Sequence, residues 1–144
     1  QNIHIHIDLI AGLPYEGMEL FEKSFNEALK LRPHMLQLGF LKLLYGSELR
    51  ENGYECVCDS EPPYEVKSTP WLSCEQLEKL HVLEDFFDRF YNSGRFNRTV
   101  NYTLEKFENP FNLYTELAFF VKNNEKSRNL DEFSKCVFDF KNVF

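Results

Sequence analysis

The chain has 144 residues, 43% of them hydrophobic, and a formal net charge of -7. That is enough for one or two small cores and describes a globular rather than a disordered chain. The negative balance argues against a sequence-independent nucleic-acid binder, and no apolar run is long enough to span a bilayer.

The first stretch, Ile3 to Pro14, reads as a buried strand ending in a tight turn. Ile3, Ile5, Ile7 and Leu9 alternate with His4, His6, Asp8 and Ile10, so the two sets point to opposite faces. One face is aliphatic. The other carries two imidazoles and a carboxylate in a row. A helix-covered parallel strand usually has apolar residues on both faces, so a polar row suggests a face that lines a site. Gly12 permits close approach at the strand's end and Pro14 stops it. Ligands of α/β sheets and barrels bind at that carboxyl edge. The chain begins at Gln1 and enters this strand almost at once, without a basic and apolar leader pattern. The expectation is a piece of a longer, cytoplasmic protein that starts inside a domain.

A helix follows to about Arg32, with Met18, Phe21, Phe25, Ala28 and Leu29 on one stripe. Pro33 forbids its continuation. Met35 to Leu44 reads as a second strand, which makes one crossover unit of a parallel sheet. Tyr45-Gly46-Ser47 closes that strand at the same edge as Gly12, and a short helix over Glu48 to Asn52 precedes a short extended piece from Tyr54 to Cys58.

Residues 59–73 hold three prolines and the only tryptophan, the mark of an ordered connector. Ser73 and Gln76 form a capping box. From Cys74 the chain turns helical and aromatic. Leu77, Leu80, Leu83, Phe87 and Phe90 trace one buried face as far as Asn92-Ser93-Gly94. Helices are also expected over Asn97 to Phe107, from Asn109-Pro110, and from Asp131. Twelve of the fifteen phenylalanines lie after residue 85, and at helical spacing they describe a packed core rather than a ligand box. The organisation is therefore α/β over residues 1–58, a connector over 59–73, and all-α over 74–144.

The cysteines Cys56, Cys58, Cys74 and Cys136 suggest no disulfide framework. Cys56-Val57-Cys58 lacks the two-residue spacer and the second pair of a common metal site, so it reads as two reduced thiols in a short strand. The polar row His4, His6, Asp8 admits three readings. It holds a metal through His4 and His6, as in a metal-dependent hydrolase. It recognises an organic ligand by hydrogen bonds. Or its histidines are buried and hydrogen-bonded with no further role. For the metal reading, no further residue of the sequence completes the ligand set.

Asp8-Leu9-Ile10-Ala11-Gly12-Leu13-Pro14 resembles the fifth barrel strand of radical S-adenosylmethionine (SAM) enzymes, above all the anaerobic coproporphyrinogen dehydrogenase type. Leu36 to Leu49 resembles the sixth strand of that fold, with its Gly-Ser end before a short helix. Pro62-Pro63-Tyr64-Glu65-Val66, Trp71-Leu72-Ser73 and Tyr91-Asn92-Ser93-Gly94 resemble the C-terminal domain of a cobalamin-binding group of the family. The likeness covers nearly the whole chain. It implies the βαβ tail of a partial (β/α)6 TIM-barrel-like fold, followed by a helical C-terminal domain.

In the family, a [4Fe-4S] cluster held by Cys-x3-Cys-x2-Cys reductively cleaves SAM to a 5′-deoxyadenosyl radical or supports methyl transfer. Cobalamin sits in a separate N-terminal domain. This chain has neither the cluster spacing nor that domain, so it is expected to be inactive alone and to bind no cofactor tightly. The resemblance places Asp8, Ile10, Gly12 and Leu43 (or Leu44) beside SAM. His6 and Asp8 are expected to face the barrel interior, where a small-molecule or macromolecular substrate lies, and Tyr64, Glu65 and Trp71 either close the barrel mouth over that substrate or only staple the helical domain to the barrel. The implied activity is of oxidoreductase or methyltransferase type. The implied partners are the rest of the barrel and the N-terminal domain, with neither nucleic acid nor membrane. An isolated strand pair also exposes sheet edges, so self-association is expected. The rival reading is a helical protein-interaction module without a catalytic role.

Overall fold

The computed structural model describes residues 3–123. The chain forms two compact units, divided between Leu80 and His81.

In the first unit, β1 (His6–Ala11) and β2 (Met35–Phe40) pair in parallel, with His6 opposite Met35, Asp8 opposite Gln37 and Ile10 opposite Gly39. Partners in such a ladder share a face, so the odd and even positions separate cleanly. Leu36 and Leu38 are buried, as are Phe21, Phe25, Ala28 and Leu29 of α1 (Met18–Lys30). Each buried leucine or phenylalanine among them contributes about 1.5–3 kcal/mol relative to an exposed one. Helix α1, which lies against β1, ends where Leu31 N–H bonds back to the Ala28 carbonyl and Arg32 takes φ +49. His34 then rejoins the ladder. Its Nδ1 accepts the Ile5 N–H at 3.1 Å and its own N–H donates to the Ile5 carbonyl at 2.9 Å.

Three expectations change here. Regular strand begins at His6, and Ile3 and Ile5 are exposed rather than buried. Regular strand β2 ends at Phe40; Leu41 N–H still donates to Ala11 O at 2.9 Å, and the backbone of Leu41 to Leu43 also pairs with the connector. The connector itself contains a strand, β4 (Val66–Ser68), which pairs antiparallel with β3 (Val57–Cys58). It also bonds to the end of the β2 segment, through Leu43 N–H to Tyr64 O at 3.0 Å and Val66 N–H to Leu41 O at 2.9 Å. The prolines had masked Val66-Lys67-Ser68, a run too short to show a period. Between β2 and β3, Ser47 caps the single turn α2 (Glu48–Glu51).

The division between units falls inside α3 (Cys74–Phe87), so the connector and the first turns of that helix belong to the first unit, not to a separate helical domain. Ser73 and Gln76 do form the capping box, at 3.2 and 2.9 Å. After Phe87 the helix widens into a π turn over Asp88–Asn92, and Gly94 at φ +69 closes it.

The second unit adds α4 (Asn97–Lys106) and α5 (Pro110–Asn123). Its core is aromatic. Phe87 and Phe90 lie 5.6 and 5.7 Å from the fully buried Tyr114, and Phe90 stacks on Phe86 and Phe96 at 5.1 Å. The Thr103 hydroxyl donates to Val100 O at 2.8 Å, so the Tyr114 hydroxyl, 2.7 Å away, donates to Thr103. Burial pushes the Tyr114 hydroxyl up to about 12. The helix expected from Asp131 lies outside the described residues.

Candidate functional site

The carboxyl edge of β1 is built around Gly12. Its φ is +94, and a Cβ there would stand 3.5 Å from Leu41 and 3.6 Å from Val66, ordinary contact distances. The turn therefore requires glycine for its backbone, not for space. Gly12 is buried, and its carbonyl accepts a hydrogen bond from the Tyr54 hydroxyl at 2.9 Å. Burial raises the Tyr54 hydroxyl above its ordinary pKa.

Trp71 joins this corner. Its ring stacks at 8° on Tyr54, with centroids 6.3 Å apart, and lies 4.8 Å from the Tyr15 ring. Tyr15 holds a left-handed backbone at φ +64 although it is 77% exposed. Tyr64 does the same at φ +58. Two tyrosines in a region that disfavours side chains, both at the same sheet edge, mark a place where the surroundings enforce an unfavourable backbone.

The end of the β2 segment carries a second constellation. The Tyr45 and Tyr64 rings meet edge to face at 5.2 Å. The Arg50 guanidinium lies 3.7 Å over the Tyr45 ring and 5.0 Å from that of Tyr64, and its Nη1 donates to the Leu43 carbonyl at 2.6 Å. Glu65 is bridged to Lys42 along the backbone, and its carboxylate lies 3.2 Å from Lys67, which also reaches Asp59 at 3.1 Å.

The polar row occupies the open face of β1. His6, Asp8 and Ile10 share that face with Met35, Gln37 and Gly39. His6 Nε2 sits 2.9 Å from Asp8 Oδ1, with the two side chains 42% and 65% exposed. Within this chain, no described element covers that face. The His4 ring lies 4.7 Å from that of His34, tilted by 32°. Among the described residues, no group of three or more His, Cys, Asp or Glu could hold a metal ion. Cys56 and Cys58 are free, and burial together with the neighbouring Cys58 raises the Cys56 thiol above its ordinary pKa.

The structure thus brings Gly12, Tyr64, Glu65 and Trp71 to one sheet edge and puts His6, Asp8 and Ile10 on the adjoining open face. Leu43 and Leu44 differ in exposure. Leu43 is buried, whereas Leu44 beside it is 53% exposed. The residues missed were Tyr15, Tyr45, Arg50 and Tyr54. The Tyr54–Gly12 bond spans 42 residues and leaves no periodic signal. Arg50 offered a weak one, a lone cation just after a strand that ends at a ligand-binding edge.

No helix of the described residues is long and apolar enough to cross a membrane. Neither a curated protein nor a solved structure matches the chain. A family model described as a protein of unknown function (DUF4080) matches residues 52–140, and the chain belongs to that family.

Proposed function

We propose that this chain is the C-terminal part of a cytoplasmic radical SAM enzyme, of oxidoreductase or methyltransferase type. It would supply the last βαβ unit of the barrel together with a helical extension, and wall the SAM and substrate site. The observation that carries the reading is the open face of β1. A parallel strand pair covered by α1 on one side presents His6, Asp8 and Ile10 on the other, directly beside a glycine turn at the carboxyl edge. Parallel sheets are normally covered on both faces, so this one is built to receive further structure.

The residues present fit one side of SAM. Ile10 is 45% exposed, and Gly39 opposite it has no side chain to fill the face. Ile10 and the backbone at Gly12 would hold the adenine, and Asp8, oriented by its contact with His6, would offer an acceptor next to it. Bound there, SAM supplies a methyl group or an organic radical to the reaction. Tyr64, Glu65 and Trp71 would close the mouth over substrate from the edge they crown. The [4Fe-4S] cluster does not fit this chain, because no three cysteines have its spacing. The cluster and any cobalamin belong to the remainder of the barrel and an N-terminal domain, the partners of this chain.

Calorimetric titration of SAM into the full-length protein tests the placement. Asp8→Ala is expected to weaken binding about tenfold, the loss of one charge-assisted hydrogen bond. Unchanged affinity removes Asp8 from the site.

A further inference from the structure

Arg50 is held in an unusual way for a chain that carries an acidic excess. Two contacts fix its guanidinium. Nη1 donates to the Leu43 carbonyl at 2.6 Å, and one planar face covers the Tyr45 ring at 3.7 Å. Tyr64 packs edge-on against Tyr45 and completes the corner. Among the described residues, no carboxylate pairs with Arg50, although Glu48 and Glu51 are its near neighbours in sequence.

The geometry leaves a specific part of the group unused. A guanidinium presents five N–H donors in a rigid fork. The bond to Leu43 consumes the Nη1 side. The Nε–Nη2 edge, which matches two oxygens of a carboxylate or a phosphate, has no acceptor among the described residues. Fixing the fork in advance reduces the ordering cost of ligand binding. The backbone that sets this corner includes Tyr64 at φ +58, which a residue with a side chain disfavours, and Gly46 at φ +79, which glycine adopts freely.

We propose that Arg50, pinned over Tyr45, is the receptor for an oxyanion, a carboxylate or a phosphate, that arrives at the carboxyl edge of β1 and β2. This gives the substrate a chemical class, and it rests on the proposed function for whose anion it is. The receptor itself is a property of this chain alone.

The test is a side-chain NMR titration of the 15N-labelled 144-residue chain with inorganic phosphate and, separately, with acetate, each into the tens of millimolar at constant ionic strength. The Arg50 Nε–Hε resonance is expected to shift and saturate, with a dissociation constant on the order of millimolar for a single exposed fork. The tighter probe identifies the oxyanion. Arg50→Lys keeps the charge and loses the fork; followed through the backbone amide resonances of Gly46 and Glu51, which report on both proteins, binding should weaken at least about fivefold. Tyr45→Leu alters only a 73% exposed ring, so the fold persists, and binding should weaken because the guanidinium is no longer held flat. A shift that never saturates, or binding unchanged in both variants, overturns the proposal. Neither result touches SAM binding, which is measured separately.

Discussion

The hydroxyl of Tyr54 donates to the carbonyl of Gly12 at 2.9 Å and ties the start of the family segment to the turn that ends β1. Residues 52–140 carry the family match, yet their first part is not an independent module. It packs onto the strand pair, pairs with its end and stacks Trp71 over Tyr54. Tyr54→Phe leaves a buried carbonyl without its donor and should cost about 1–2 kcal/mol of unfolding free energy in urea titration. A cost near zero would mean that water replaces the bond and that the turn is held by packing alone.

Gly12→Ala probes the same turn from the other side. Space is available, so the penalty comes from the backbone at φ +94 and should be about 1–2 kcal/mol. A lower midpoint with an unchanged denaturant slope is the expected outcome.

Asp8 separates stability from function. Its contact with His6 is exposed, and exposed pairs contribute little. Asp8→Ala should therefore change the stability of the chain by less than about 0.5 kcal/mol, while it weakens SAM binding in the full-length protein. A large stability loss would show that the pair has a structural role and would undercut its assignment to a site.

Tyr114 gives the second unit a distinct alkaline response. Its hydroxyl is raised from the ordinary value of 10.0 to about 12, so the native state holds the proton that the unfolded chain releases first. The associated stability is full below the unfolded value and is lost as pH rises through the interval up to about 12. The loss is on the order of 2 kcal/mol when complete. Melting curves between about pH 9 and about pH 11.5 should fall more steeply for the wild type than for Tyr114→Phe. Parallel curves would contradict the burial of the ionisable hydroxyl.

The open strand pair should not remain alone in solution. Strand β1 pairs only with β2 among the described residues, and their uncovered face includes Ile10. Sedimentation at ~100 μM should give a mass above the 17.2 kDa of one chain. A strictly monomeric species would mean that the edge is already protected.

The parts of this fold with a period were legible in the sequence. Alternation placed His6, Asp8 and Ile10 on one face, and the stripe of Phe21, Phe25, Ala28 and Leu29 set α1 over the other. The parallel βαβ unit follows from those two patterns and Pro33. What alternation cannot reveal is whether the polar face is covered, because burial depends on elements distant in sequence. For the same reason it could not reveal that the His4 ring lies beside that of His34, or that Val66 leaves the connector to bond Leu41. Leu43 illustrates the cost. The resemblance pointed to Leu43 or Leu44 without choosing between them, and only the fold shows that Leu43 is buried and Leu44 exposed.

The central claim is that this chain walls a SAM site. The most direct test is the electron paramagnetic resonance spectrum of the full-length protein, prepared anaerobically and reduced, with and without SAM. The account predicts a [4Fe-4S] signal that changes when SAM is added. A protein with no reducible cluster and no response to SAM would contradict it, and the open face of β1 would then be a docking surface for a helical interaction module.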